Sequence, residues 1–185
     1  MPILYASAFA VVLAAVFALF ILWTTYNQIV VLRQRIEKAR GNIDVALTQR
    51  YGELPNLVAA VRGYMTHEQS VLEHVTQARA AWVRGAPIRE QAAAADETSS
   101  AVRELFGVIE RYPELRAGER VADLQAEIAR LEEMIADRRE LYNDSVFRYN
   151  TRIAQVPAAV LTPIFGWQPA ELFSAEPAAR ERPIV

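Results

Sequence analysis

From Ile3 to Trp23 the chain runs ILYASAFAVVLAAVFALFILW, with neither a charge nor a proline. The run holds about 21 residues, and at about 1.5 Å each they make a helix of about 31 Å, enough to cross the hydrocarbon core of a bilayer. The first charged side chain is Arg33. A stretch of this kind predicts a transmembrane helix. A cleaved signal peptide has a basic start, a shorter apolar run and small residues at its cleavage site. Here the run ends instead in Ile21, Leu22 and Trp23. A lipid-modified cysteine is excluded, because the chain has no cysteine.

The flanks of this run predict an orientation. Arg33, Arg35, Lys38 and Arg40 come after it, opposed only by Glu37. The Lys- and Arg-rich side of a span usually stays in the cytoplasm. The expectation is therefore a single-pass protein of the inner (plasma) membrane, with its N-terminus outside and everything after the span cytoplasmic. Trp23 and Tyr26 would lie at the inner interface, where amphipathic rings are favoured.

At 185 residues in all, the chain has room for one further domain beyond the span. The net charge of −2 gives that domain no electrostatic footprint for nucleic acid. Without cysteine there is no thiolate catalysis and no cysteine-held zinc or iron–sulfur site. No cofactor and no small-molecule substrate is legible.

Helical periodicity dominates the chain past the span. Ile29, Leu32, Ile36, Ala39, Ile43 and Ala46 recur at steps of three and four, one face of a helix. Gly52 and Pro55 predict its end near Tyr51; the alternative is one long helix kinked at Pro55. A second helix is expected from Leu54 to Gly85-Ala86-Pro87. A third begins after Pro87, with fraying at Thr98, Ser99 and Ser100. The fourth is the clearest: Val121, Leu124, Ile128, Leu131 and Ile135, with the phase continued by Arg138, Tyr142, Ser145 and Tyr149. It should run from about Glu119 to Gln155 and stop at Pro157.

These spacings predict an all-α chain: a transmembrane helix, then an antiparallel up-down four-helix bundle. The expected domains are an anchor at 1–25, the bundle at 26–156 and an apolar, proline-rich tail at 157–185. No charge occurs from Ile153 to Ala170. Phe165, Trp167 and Phe173 are candidates for the lipid interface, against a tail folded back over the base of the bundle.

Polar residues on the helix faces are read first as structural. Tyr142-Asn143 and Tyr149-Asn150 are seven apart and share a face; Tyr26-Asn27 repeats the pair. Asn in a bundle seam fixes register, and a Tyr hydroxyl finds a partner when its ring is buried. Arg138 on the seam needs a carboxylate, Asp44 first and Glu68 second. Glu127, Glu132, Glu133, Asp137, Glu140 and Asp144 lie mostly off the seam, as a solvated charge run. His67 and His74 are about 10 Å apart along a helix axis, too far for one ion, so no metal site is assigned.

Three segments carry a resemblance. They are YNQIVVLRQRIEKARGNIDVALTQRYGELPNLVAAVRGYMTHE, ELFGVIERYPELRAGERVADLQAEI and RRELYNDSVFRYNTRI. Their most specific pieces are Leu54-Pro55-Asn56-Leu57-Val58, Gly63-Tyr64, Tyr112-Pro113 and YNDSVFRYN at Tyr142–Asn150. Over nearly its whole length the chain is similar to the LemA family of bacterial membrane-anchored helical proteins. The resemblance implies an N-terminal span and a four-helix bundle, and it supplies no reaction. The chain departs from the family pattern at Arg40-Gly41-Asn42, at Val121 and at Pro157-Ala158-Ala159, changes that bear on packing.

The function expected is a non-enzymatic, membrane-anchored scaffold or adaptor. Its partners would be the lipid bilayer and a membrane protein or a second copy; the small residues Ser7, Ala10, Ala14 and Ala18 would allow two spans to approach closely. The alternatives are a subunit or regulator of a membrane-associated enzyme, and a lipid-organising protein that uses the tail aromatics.

Overall fold

The computed structural model describes residues 2–65 and 67–174. Among them all regular structure is helical: α1 (Pro2–Val61), α2 (Gln69–Ala81), α3 (Ile88–Ile109), α4 (Pro113–Arg116), α5 (Glu119–Ala154) and α6 (Ala158–Phe165). The expected tail extends past the described residues from 175 onward. The described chain divides into two compact units. One holds the residues up to Lys38 together with Asp144–Ala170, and the other holds Ala39–Asn143 with the chain from Glu171.

In the first unit, the opening of α1 is long and apolar enough to cross a membrane, and little of it is covered by protein. Phe9, Leu13, Phe17 and Trp23 are all exposed. From Thr25 onward one face becomes buried, through Ile29 and Ile36, as do Val146, Tyr149 and Ile153 of α5. The chain then turns into α6. Thr162 Oγ1 lies 2.9 Å from the Ile153 carbonyl and, within α6, 3.0 Å from the Ala158 carbonyl, its single proton shared between them. Ala158 and Leu161 point inward. Gly166 ends α6 with φ of 64°, a left-handed conformation glycine takes without steric cost.

In the second unit, α2 packs against α3 and α3 against α4. The buried set runs through Ile43, Leu47, Leu54 and Leu57 of α1, Val75 of α2, Leu105 of α3, and Ile128, Leu131 and Ile135 of α5. The α5 phase is thus the one its three–four spacing predicts, and its start at Glu119 agrees. Leu124 is only half-buried.

The first helix does not stop at Tyr51. It continues through Gly52 and Pro55 to Val61, and the chain turns at 62–64, inside the expected second helix. An internal proline removes one hydrogen bond and costs about 3 kcal/mol. Two features offset that cost. Leu54, Leu57, Val58 and Val61 are all buried. The carbonyl that Pro55 cannot reach, that of Tyr51, accepts instead from Arg79 Nε of α2 at 3.0 Å. Replacing Arg79 by Ala is expected to cost about 1 kcal/mol in a thermal melt. In a Pro55→Ala background the helix makes its own bond, and the loss should nearly vanish.

No fraying occurs at Thr98–Ser100. The Thr98 and Ser99 hydroxyls bond the carbonyls of Ala94 and Ala95 one turn back, at 2.7 and 3.0 Å. Helix α3 thus stays intact, and both hydroxyls also reach outside it.

Candidate functional site

The second unit contains a buried polar centre. Arg50 is fully buried, and it sits on the apolar face of α1. Its Nη1 donates to Glu132 Oε1 at 2.7 Å and to Ser99 Oγ at 2.9 Å. Its Nη2 reaches the Ala95 carbonyl at 3.3 Å and Tyr51 Oη at 3.2 Å. Ser99 Oγ lies 2.7 Å from the second Glu132 oxygen, and its single proton is shared between that carboxylate and the Ala95 carbonyl. Tyr51 Oη lies 3.1 Å from Thr98 Oγ1, and its ring stacks on Trp82 with centroids 4.6 Å apart. A guanidinium withdrawn from water is tolerated only when a carboxylate and several acceptors surround it, as they do here. Glu132 is therefore no member of a solvated charge run. It closes the centre from α5.

The pair expected from the sequence, Arg138 with Asp44, does not form. Arg138 is half-buried, and Asp44 Oδ1 is buried without a hydrogen-bond partner. Its neighbour Arg139 is the partnered residue, with Asp96 at 2.6 Å and the Phe173 ring 4.8 Å from its guanidinium. Pro55 lies inside α1 and Asn56 is exposed, bonded to Glu53 Oε2 at 3.0 Å. Tyr64 is exposed at the turn after α1.

The two Tyr-Asn pairs of α5 hold the tail. In the first unit Tyr149 Oη donates to the Gln168 carbonyl at 3.1 Å. The Asn150 amide both accepts from Ala170 N–H at 2.8 Å and donates to the Ala170 carbonyl at 3.0 Å. In the second unit Tyr142 Oη donates to the Glu171 carbonyl at 2.9 Å, and Asn143 Oδ1 accepts from Phe173 N–H at 2.8 Å. Burial raises the Tyr149 hydroxyl above its ordinary value, against a smaller opposing pull from Arg33, so Tyr149 stays a donor. The tail aromatics divide. Trp167 and Phe173, expected at the lipid interface, are buried, Phe173 edge-on to Tyr142. Trp23, Tyr26 and Phe165 are exposed, and Tyr26 lies 5.3 Å from Phe165 between ring centroids.

His67 lies in the turn before α2, so it shares no helix with His74. His74 Nε2 is 2.7 Å from Glu97 and Nδ1 is 2.8 Å from Glu104, both on α3. Both ring nitrogens can donate at once only in the charged imidazolium. The bond to Glu97, then that to Glu104, raises the His74 pKa above its ordinary value. Stability from this clip is complete below the ordinary histidine value of about 6.5 and is lost as pH rises through the raised one. His74→Gln should therefore flatten the decline of melting temperature from mildly acidic to mildly alkaline pH.

Among the described residues no group of three or more His, Asp or Glu side chains is placed to hold a metal ion. A surface cavity of about 510 Å³ is bordered by Arg62, Met65, Leu72, Glu73 and Thr76. None of His67, Glu68 or Arg138 borders it.

Magnetosome proteins MamQ 2 and MamQ 1 of Paramagnetospirillum magneticum are each 26% identical to the chain, over 86% of it and 68% of their own length. Magnetosome protein MamQ of Magnetospirillum gryphiswaldense is 24% identical over the same shares. The LemA family profile matches residues 39–185, a stretch that takes in Arg50, Glu132, both Tyr-Asn pairs of α5 and the tail they hold. With so much of the chain matched, it belongs to the LemA family.

Proposed function

We propose that the protein is a non-enzymatic scaffold held in the inner membrane by a single span, N-terminus outside. In this reading residues 1–25 are the anchor, 26–156 form an up-down four-helix bundle in the cytoplasm, and 157–185 are its tail. The bundle is presented to a membrane protein or to a second copy. One observation carries the reading: α1 exposes large apolar side chains turn after turn from Phe9 to Trp23. Lipid can cover such a surface and water cannot.

The polar groups of the centre fit a holding role. Arg50 and Glu132 neutralise each other, and the Ser99 hydroxyl that touches both is also tied to the Ala95 carbonyl of its own helix. The MamQ relatives are named for the magnetosome and for no reaction.

The test is a pair of reporter fusions after Val185. A reporter active only in the cytoplasm should give signal, and one active only in the periplasm should be silent. The reverse result overturns the orientation. Release of the protein from membranes by alkaline carbonate would overturn the anchor itself.

A further inference from the structure

We propose that α6 is a second membrane contact: an interfacial foot that rests in the headgroup region beside the span. The proposal rests on the anchored reading and adds a surface to it. Helix α6 is apolar on both faces, with Ala158 and Leu161 buried on the inner one. Val160, Ile164 and Phe165 are exposed, and Val156 just before the helix is the most exposed of them. No charged side chain occurs from Ile153 to Ala170. In water such a face has nothing to gain.

Lipid is the occupant because of where the face lies. It is continuous with the span: the Phe165 ring packs on Tyr26 at 5.3 Å and stacks on Trp167 at 5.1 Å. Tyr26 is one helical turn past Trp23, the last residue of the uncharged apolar run, a rise of about 4.5 Å. The headgroup layer on each side of the hydrocarbon is about 5–8 Å deep. A residue that touches Tyr26 is therefore held at headgroup depth when the span is in place. The charges begin just beyond. Arg152 reaches Gln28 Oε1 with Nε and Nη2, at 3.1 and 2.7 Å. The protein covers the inner face of α6, and its outer apolar side chains at that depth can sink into the headgroup and acyl boundary as the apolar face of an interfacial helix does.

The absence of cysteine makes the test direct, since each variant carries one thiol. The full chain, as Ile164→Cys, Leu13→Cys or Phe147→Cys, is labelled with an environment-sensitive fluorophore. It is then reconstituted in phosphatidylethanolamine–phosphatidylglycerol vesicles with shallow or deep doxyl-lipid quenchers. All three positions are exposed, so folding is not at risk. The label at 164 should be quenched about twofold or more by shallow quenchers and less by deep ones, as for a helix in the interface. The label at 13 should respond to the deep quenchers, and that at 147 to neither. If 13 is quenched and 164 is not, the foot is wrong and the anchor stands. If neither is quenched, the anchored reading fails and takes the foot with it. If the 164 signal is lost only through self-quenching, relieved by unlabelled protein, the occupant is a second copy and the proposal is overturned.

Discussion

Replacing Glu132 by alanine is expected to lower the melting temperature of the detergent-solubilised protein by about 6–12 °C, at about 2–4 °C per kcal/mol for a chain of this size. The change strands the guanidinium of Arg50, which has no exposure of its own, among carbonyls and hydroxyls that cannot neutralise it. Removing one partner of a buried pair costs about 3–5 kcal/mol. Glu132 keeps 29% of its side chain in solvent, which places the cost at the lower end, about 3 kcal/mol. The double variant Arg50→Met, Glu132→Leu should recover most of the loss, because apolar residues of similar volume replace buried ion pairs at little cost. A cycle of the two single variants and the double variant measures the coupling. Equal, additive losses would mean that the pair is not a unit.

Replacing Leu131 by aspartate, one residue earlier, should be worse. Leu131 is fully buried on the α5 face shared by Ile128 and Ile135. The substitution deletes its packing and places a carboxylate with no cation to meet it. Losses above about 4–5 kcal/mol are exceptional and come from unpaired buried charges among other causes. Whole domains hold only about 5–15 kcal/mol. The expected result is loss of the cooperative melt and rapid proteolysis of the second unit. Leu131→Ala, at about 2–5 kcal/mol, should stay folded and melt earlier. A Leu131→Asp protein that melts like the parent would put the α5 phase out of register.

These neighbours differ in how legible they are from the sequence. Leu131 announces itself, because Val121, Ile128, Leu131 and Ile135 keep one spacing and nothing polar competes. Glu132 does not. It stands beside the seam among other acids, and only its partner reveals it. That partner has a signal. Arg50 continues the α1 phase of Ile43 and Ala46, and Leu54, Leu57 and Val61 carry the phase on. An arginine on an apolar stripe points to a buried pair, but with Gly52 and Pro55 read as a helix end Arg50 falls in the last turn, where a basic side chain is ordinary. The α1 boundary is misplaced for the same reason, because the donor that relieves Pro55, Arg79, is distant in sequence. Arg138 has the phase of the seam and nothing else to recommend it, and a long side chain can leave a seam position for solvent. Tyr142, Asn143, Tyr149 and Asn150 read as hydrogen-bonding pairs on one face. Their partners in the structure are backbone groups of the tail, which no side-chain pattern encodes.

That choice of partner has a consequence for how the tail can vary. Each clasp grips main-chain carbonyls and amides at 168, 170, 171 and 173, as the edge of a sheet would. These hydrogen bonds do not read side chains: at Gln168 they hold the peptide group alone, whereas Glu171 also pairs with Arg89 at 3.3 Å and the buried Phe173 ring is fixed by its own packing. Position is written into α5, and only the tail residues whose side chains face outward, such as Gln168, are left free to vary.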